Sequence, residues 1–217
     1  MRLMYSWLVA LAVTAIAVTI AYYWLDRPIA LIIHNQFNST DHPIFVVLNQ
    51  IPDPRTLIVI AVSLGLGFRA LSGRSISNFY AAVFLCSWSL FLSEAIKNQL
   101  KVVFGRTWPE TWVDNNPSFI RDGVFGFNFM RDGDAFRSFP SGHMAAICAV
   151  MSVLWFWYPR WRVLFAIMAL FVGVGLVGAN YHFLSDVIAG AFVGISTGMM
   201  AVAIWHLRIG LAGEDLG

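Results

Sequence analysis

Long apolar stretches alternate with short polar links along the 217 residues of this chain. A helix needs about 20 mostly apolar residues to cross the roughly 30 Å hydrocarbon layer of a bilayer. Stretches near this length predict transmembrane helices at residues 6–24, 56–72, 79–100, 141–158, 163–180 and 185–206. The pattern therefore predicts an all-α, polytopic membrane protein in which six helices form a bundle, with residues 1–217 in a single membrane-embedded domain.

The composition also indicates a lipid environment. Hydrophobic residues make up 59% of the chain and charged residues 12%, whereas a soluble domain carries roughly 25% charge. Such a chain cannot cover a water-facing surface with polar groups, which excludes a soluble globular protein. The net charge of +2 is too small and too scattered for a nucleic-acid-binding protein. Cys86 and Cys148 lie inside apolar runs and are interpreted as small core residues, and the first apolar run is interpreted as an uncleaved helix.

The basic residues of the links predict the orientation in the membrane. With six spans, one face carries Arg2, Arg69, Arg74, Arg160, Arg162 and Arg208. By the positive-inside rule this face is cytoplasmic, so we expect both termini on the cytoplasmic side of a bacterial inner membrane. The opposite face holds the link 25–55, the long outer loop 101–140 and the turn 181–184. Within the first of these, short interfacial helices are expected at 29–37 and 43–48.

The outer loop, between the third and fourth predicted helices, is rich in basic and aromatic residues. Cations on the translocated side indicate a site for an anion, and they are Lys101, Arg106, Arg121, Arg131 and Arg137. The aromatic side chains fit either interface anchors or an apolar lip over that site. They are Trp108, Trp112, Phe119, Phe125, Phe127, Phe129, Phe136 and Phe139.

Lys101 ends the third predicted helix, and Arg106 lies in the loop just after it. A guanidinium offers a planar fork of donors and an ammonium offers a point charge, so two such cations close together suit a phosphate group. The alternative is that both side chains merely extend to the membrane interface.

Residues 138–143, Ser-Phe-Pro-Ser-Gly-His, lead directly into the fourth predicted helix. Ser141 is a suitable N-cap, Gly142 allows close backbone approach, and the free N–H groups of a helix N-terminus bind anions. His143 in the first turn can donate a proton to a leaving oxygen. The alternative is an ordinary capped helix with an incidental histidine.

His182 and Asp186 lie four residues apart where the last two predicted helices meet, so on a helical start they share one face. A carboxylate bonded to one ring nitrogen fixes the tautomer and leaves the other nitrogen as a nucleophile or base. An ionisable pair at a membrane-embedded helix end is costly without a function. The alternative is a self-contained pair that closes the turn.

In this order, the three clusters resemble the motifs of the type 2 phosphatidic acid phosphatases, a family related to the vanadium haloperoxidases. The resemblance covers a core of about residues 80–200. Residues 140–143 reproduce the Pro-Ser-Gly-His motif, and His182 and Asp186 match the histidine and aspartate of the third motif. Two motif arginines are missing, because Trp108 and Leu176 stand at their positions.

The resemblance implies a lipid phosphatase that uses no metal and no other cofactor. It implies that His182 attacks phosphorus and forms a phosphohistidine, that Asp186 orients this ring, and that His143 protonates the leaving oxygen. The phosphate-binding residues that it implies are Lys101, Arg106, Ser141 and Gly142. We further expect Arg137, four residues before Ser141, to replace part of the missing arginine charge.

The expected substrate is a lipid phosphate or lipid pyrophosphate at the outer face of the membrane, within the surrounding membrane lipid. Phosphatidate, phosphatidylglycerol phosphate, undecaprenyl pyrophosphate and lipid A phosphates are the candidates. The missing arginines also fit a lipid phosphotransferase or head-group transferase that uses the same histidine. A non-catalytic membrane transporter or binding protein is a further alternative. Against it, only the third predicted span contains buried charge, as Glu94 and Lys97, which we expect to pair.

Overall fold

Helices dominate the computed structural model, which describes residues 2–36, 77–112 and 115–214 and scattered positions between 61 and 69. The α-helices are α1 (Arg2–Ile20), α2 (Asp26–Gln36), α3 (Asn78–Phe104), α4 (Phe119–Asp122), α5 (Gly142–Trp157), α6 (Arg162–Gly178) and α7 (Leu184–Glu214). Backbone pairing of the β type is limited, in this part of the chain, to isolated bridges within the outer loop. The prediction of an all-α protein is confirmed.

The lengths of these helices agree with most of the predicted spans. Four helical runs are long and apolar enough to cross a membrane, namely Met4–Gln36, Asn78–Phe104, Pro159–Gly178 and Leu184–Leu207. A fifth apolar helix, Gly142–Trp157, has 16 residues and is shorter. The predicted span 56–72 lies mostly outside the described residues, so the total of six spans stays a prediction.

The first helix continues past the predicted end at residue 24. A π-helical turn, Ala21–Leu25, joins α1 to α2, and the backbone N–H of Asp26 donates to the carbonyl oxygen of Ala21. Pro28 follows in the first turn of α2. A proline in a continuous helix clashes with the carbonyl four residues earlier, and a wider π turn relieves such a clash. The helix expected at 29–37 is therefore found up to Gln36 as a continuation of the first helix, and 43–48 lies outside the described residues.

The most extensive helix contact is between α5 and α7, and glycines on α7 make it close. Gly190, Gly194 and Gly198 recur every four residues, so they form one face of the helix. A methyl group on Gly194 would lie 2.2 Å from the carbonyl oxygen of Ala145, and one on Gly190 would lie 2.5 Å from that of Ser141. Small residues at this spacing allow helix backbones to approach each other in a membrane.

The other helices surround this pair. Helix α3 packs on both α5 and α7, and α6 packs on α5. Helix α1 packs on α7 in the opposite direction, because Trp7 Nε1 donates to Ser196 Oγ at 3.0 Å while the Ser185 N–H donates to Asp26 Oδ1, also at 3.0 Å. One end of the bundle therefore collects the start of α5, the start of α7, and the C-terminal ends of α3 and of the α1–π-turn segment.

Candidate active site

A cavity of about 380 Å³ lies at this end of the bundle. Its walls come from α3, from the loop that follows α3, from the start of α5 and from the turn between α6 and α7. The polar and aromatic residues among those that line it are Phe91, Glu94, Lys97, Asn98, Lys101, Trp108, His143, Tyr181 and His182, and Gly142 lies beside them. The structure thus brings together Lys101, Gly142, His143 and His182 from three distant parts of the sequence.

His182 lies in the turn before α7 with its ring between the cavity and a buried polar cluster. Its Nδ1 is 3.4 Å from Ser138 Oγ and 3.5 Å from Asp186 Oδ2. Two oxygen atoms beside Nδ1 favour the tautomer that carries its proton there, which leaves Nε2 with a free lone pair. Burial lowers the pKa of His182, and the nearby Asp186 carboxylate only partly opposes this effect. The ring is therefore held neutral, as a nucleophile requires.

Asp186, in the first turn of α7, is fully buried, and both of its carboxylate oxygens accept hydrogen bonds. Its Oδ1 accepts from Arg106 Nη1 at 2.6 Å. Its Oδ2 accepts from Ser138 Oγ at 2.6 Å and from the backbone N–H of Phe183 at 3.1 Å. These bonds fix the carboxylate, so the oxygen that faces His182 cannot turn away.

Arg106 is placed differently from the expectation that it lies at the phosphate. It is completely buried and does not line the cavity. Its Nη2 donates to Asp26 Oδ2 at 2.7 Å, while its Nη1 donates to Asp186 and to Ser185 Oγ. Aromatic rings enclose the guanidinium at 4.4–5.3 Å, from Tyr22, Phe125, Phe127 and Phe183. Two buried carboxylates and a ring cage hold this cation inside the protein, behind Asp186.

The turn after α3 explains why Arg106 points inward. Gly105 ends α3 with a φ of 54°, a left-handed conformation that favours glycine. A methyl group there would lie 1.9 Å from the carbonyl oxygen of Asn128, so the outer loop packs directly on this glycine. The backbone carbonyl oxygen of Arg106 then accepts from the Ser138 N–H at 3.1 Å, which links the loop after α3 to the segment that leads into α5.

Ser141 and Gly142 begin α5 as the sequence predicts. The Ser141 side chain caps the helix by accepting from the Met144 N–H at 3.4 Å, and its backbone N–H donates to the Asp186 carbonyl oxygen at 3.0 Å. Ser141 is completely buried, whereas Gly142 lines the cavity. The N-terminus of α5 therefore faces the cavity through its first turn, where N–H groups without intrahelical partners favour an anion.

Arg137, the expected substitute for the missing arginines, does not line the cavity. Its Nε lies 3.4 Å from Asp132 Oδ1 and its Nη1 lies 3.7 Å from Asp134 Oδ1. The guanidinium thus faces two acidic residues of the outer loop.

Asp26, Ser138 and Lys97 were not assigned to the site from the sequence. The statement that only the third span contains buried charge is wrong, because Asp26 is buried within the apolar run Met4–Gln36. The sequence signal that could have identified Asp26 was a carboxylate within an apolar run, because such a residue is costly in a membrane without a partner or a function. Three of the loop aromatics make contacts that neither expected role describes. Phe125 and Phe127 pack against Arg106, and Trp108 packs against His182 with 5.2 Å between ring centroids.

Residues 81–209 match the family model of the PAP2 superfamily. The chain belongs to this superfamily. The predicted relationship to the type 2 phosphatidic acid phosphatases is thereby confirmed.

Individual relatives agree with this assignment. The chain is similar to a lipid A 1-phosphatase of Rhizobium etli, with 28% identity over 94% of this chain and 87% of that protein. A lipid A 1-phosphatase of Rhizobium johnstonii is 33% identical over 57% of this chain and 48% of its own length. In fold, the chain resembles a transmembrane PAP2 type phosphatidylglycerolphosphate phosphatase from Bacillus subtilis, with a TM-score of 0.52 and 16% identity over 93% of this chain and 96% of that one. Family and relatives confirm the predictions of an integral membrane protein and of a lipid phosphatase.

Proposed function

We propose that this protein removes the 1-phosphate of a lipid A molecule through a phosphohistidine on His182. The proposal rests on one observation: His182, backed by Asp186, shares a cavity with His143, Lys101 and the N-terminus of α5. The substrate is inferred from the Rhizobium etli relative, whose similarity extends over nearly the whole of both chains.

In the first step, Nε2 of His182 attacks phosphorus, so an N–P bond forms while the bond from phosphorus to the lipid oxygen breaks. His143 gives its proton to that oxygen and becomes neutral. The proton on Nδ1 of His182 stays beside Asp186, whose negative charge stabilises the cationic ring that develops. Lys101 and the first turn of α5 stabilise the charge on the transferring phosphoryl group.

In the second step, water attacks the phosphohistidine. His143, now neutral, accepts a proton from this water as the new O–P bond forms and the N–P bond breaks. Inorganic phosphate leaves, and both histidines return to their starting protonation states. A phosphotransferase would follow the same path with a lipid hydroxyl in place of water.

The orientation of the bundle supports a reaction at the outer face. Arg160 lies between α5 and α6, and Arg162 begins α6, both at the end opposite the cavity. The N-terminus of α1 lies at that end as well, because Trp7 contacts Ser196 far along α7. By the positive-inside rule, these basic residues support a cytoplasmic position for this end and an outer position for the cavity.

A substrate panel tests the proposal. Purified protein in detergent with a chelator is given lipid A carrying a 1-phosphate, phosphatidate, phosphatidylglycerol phosphate and undecaprenyl pyrophosphate. We expect fastest phosphate release from lipid A, with loss of the 1-phosphate seen by mass spectrometry. His182→Ala should release none and trap no phosphoenzyme, and His143→Ala should be slower by roughly 10²- to 10⁴-fold.

Other results of the same panel would overturn parts of the proposal. Full activity of His182→Ala would exclude the covalent mechanism. Transfer of labelled phosphate to a second lipid, with little free phosphate, would show a transferase instead.

A further inference from the structure

A second lysine, Lys97, lines the candidate active site together with Lys101. The chain contains only these two lysines among its 14 basic residues other than histidine, so both lie at one cavity. They are four residues apart in α3 and therefore project from the same face of that helix. The Lys97 side chain is only 15% exposed.

The ammonium group of Lys97 lies directly against the start of α5. A methyl group placed on Gly142 would come within 2.9 Å of Lys97 Nζ. Any side chain larger than glycine at this position would displace the ammonium from the first turn of α5. The same glycine thus makes room both for an anion at the helix N-terminus and for a cation beside it.

This arrangement places positive charge where positive charge is unfavourable. The N-terminus of a helix carries a partial positive charge, and a nearby cation is repelled by it. Lys101 adds a like charge on the same face of α3. Within the described residues, Glu94 compensates the charge of Lys97, because its Oε1 lies 2.8 Å from Nζ. Glu94 is about one-third exposed and also accepts from Asn98 Nδ2 at 3.1 Å.

We propose that Lys97 binds the phosphoryl group of the substrate, an inference that rests on the phosphatase function proposed above. Without substrate, Glu94 holds the ammonium at the cavity wall. With substrate, a phosphoryl oxygen between Lys97, Lys101 and the first turn of α5 receives a charge-assisted hydrogen bond from Nζ. Lys97 thereby supplies cationic charge that Trp108 and Leu176 cannot supply and that Arg137 directs at two aspartates.

Kinetics on the lipid A substrate provide the first test. Lys97→Met should lower kcat/KM about 10- to 100-fold, as expected for one charge-assisted hydrogen bond to an anion. It should weaken competitive inhibition by inorganic phosphate by a similar factor, and Lys97→Arg should restore most of both. Glu94→Gln should act in the opposite direction on phosphate, tightening its inhibition by about 3- to 10-fold, because a competing anion is removed.

These variants separate phosphate binding from a purely structural ion pair. If the pair only stabilises α3, Lys97→Met and Glu94→Gln should both weaken phosphate inhibition and should both lower the melting temperature. That result would overturn the inference. A Lys97→Met enzyme with wild-type kcat/KM, beside an inactive His182→Ala, would also overturn it while the proposed function stands. A wild type that hydrolyses no lipid in the panel would instead overturn the proposed function.

Chemical labelling tests binding without relying on turnover. In a Lys101→Arg protein, Lys97 is the remaining lysine, so an amine-reactive reagent modifies it and the N-terminal amine. Inorganic phosphate should protect Lys97 and not the terminal amine, as measured by mass spectrometry, whereas chloride at equal ionic strength should protect neither. Equal modification of Lys97 with and without phosphate would overturn the inference even if Lys97→Met fails to fold.

Discussion

At the scale of single residues, Asp186 connects the reacting histidine to the buried interior. One carboxylate oxygen bonds to Arg106 and the other bonds to Ser138 while facing His182. Arg106 in turn bonds to Asp26. A buried charge is tolerable only when its partners are all present, so the cluster sets the position of His182 as a unit.

The two carboxylates that bind Arg106 offer a matched comparison. Asp186→Asn and Asp26→Asn should each lower the free energy of unfolding by about 3 kcal/mol, because each leaves the buried guanidinium with one carboxylate. Only Asp186 faces the histidine, so Asp186→Asn should also lower kcat by about 10²- to 10⁴-fold through the wrong imidazole tautomer. Asp26→Asn should lower kcat less than about 10-fold. Denaturant unfolding in detergent and kcat per folded molecule are the measurements, and equal kcat losses would contradict this division of roles.

Sequence reasoning located the parts of the site that follow from motif spacing. Lys101, Gly142, His143 and His182 were predicted and line one cavity. The direction in which a side chain points could not be predicted from motif spacing, because it depends on groups far along the chain. Arg106 turns inward toward Asp26, 80 residues away in sequence, and no local pattern indicates that contact.

At the scale of secondary structure elements, the spacing of α5 from α7 determines where the first turn of α5 lies. Gly190 sits beside the carbonyl oxygen of Ser141, and the Ser141 N–H bonds to the carbonyl oxygen of Asp186. Backbone contacts therefore hold the Pro-Ser-Gly-His motif at the start of α5 against the motif of His182 and Asp186 at the start of α7. A shift of α5 along or away from α7 would move His143 relative to His182.

Substitution of a glycine in this contact should show the effect. Gly194→Ala would place a methyl group 2.2 Å from the Ala145 carbonyl oxygen, so we expect it to lower stability by about 1–3 kcal/mol and to reduce activity. Gly178→Ala is the control, because among the described residues no atom beyond its chain neighbours and its own helix backbone lies within 4 Å of the added methyl group. Alanine there should leave stability unchanged or raise it by up to about 1 kcal/mol. Similar melting temperatures for the two variants would contradict the proposed importance of the close contact.

The helices themselves were easier to predict than their ends. Apolar length placed both ends of α3 and α6 and the start of α7 within a few residues, because a bilayer requires that length. Helix α7 continues past the predicted end at residue 206 to Glu214. The first helix was predicted to end at residue 24, where apolarity ends, yet the π turn carries it through Asp26 and Pro28 to Gln36. Hydropathy cannot detect this continuation, since buried partners on α7 and the outer loop compensate the charge of Asp26.

At the scale of the whole molecule, the helix directions put the cavity and the α5–α6 junction at opposite ends of the bundle. Helices α1 and α3 run toward the cavity, and α5 and α7 run away from it. Trp157, at the end of α5, donates to the Asn78 carbonyl oxygen at 3.0 Å at the start of α3. The junction between α5 and α6 is thus at the opposite end from the outer loop.

Cysteine labelling tests which end faces outward. In a background with Cys86→Ala and Cys148→Ala, single cysteines replace Asp132 in the outer loop or Pro159 in the α5–α6 junction. Asp132 is exposed, and Pro159→Cys leaves Arg160 and Arg162 in place, so the charges that determine orientation are preserved. A membrane-impermeant maleimide added to intact cells should label Asp132→Cys, and it should label Pro159→Cys only after permeabilisation. The reverse pattern would place the cavity at the cytoplasmic face, and phosphate release would then occur inside the cell.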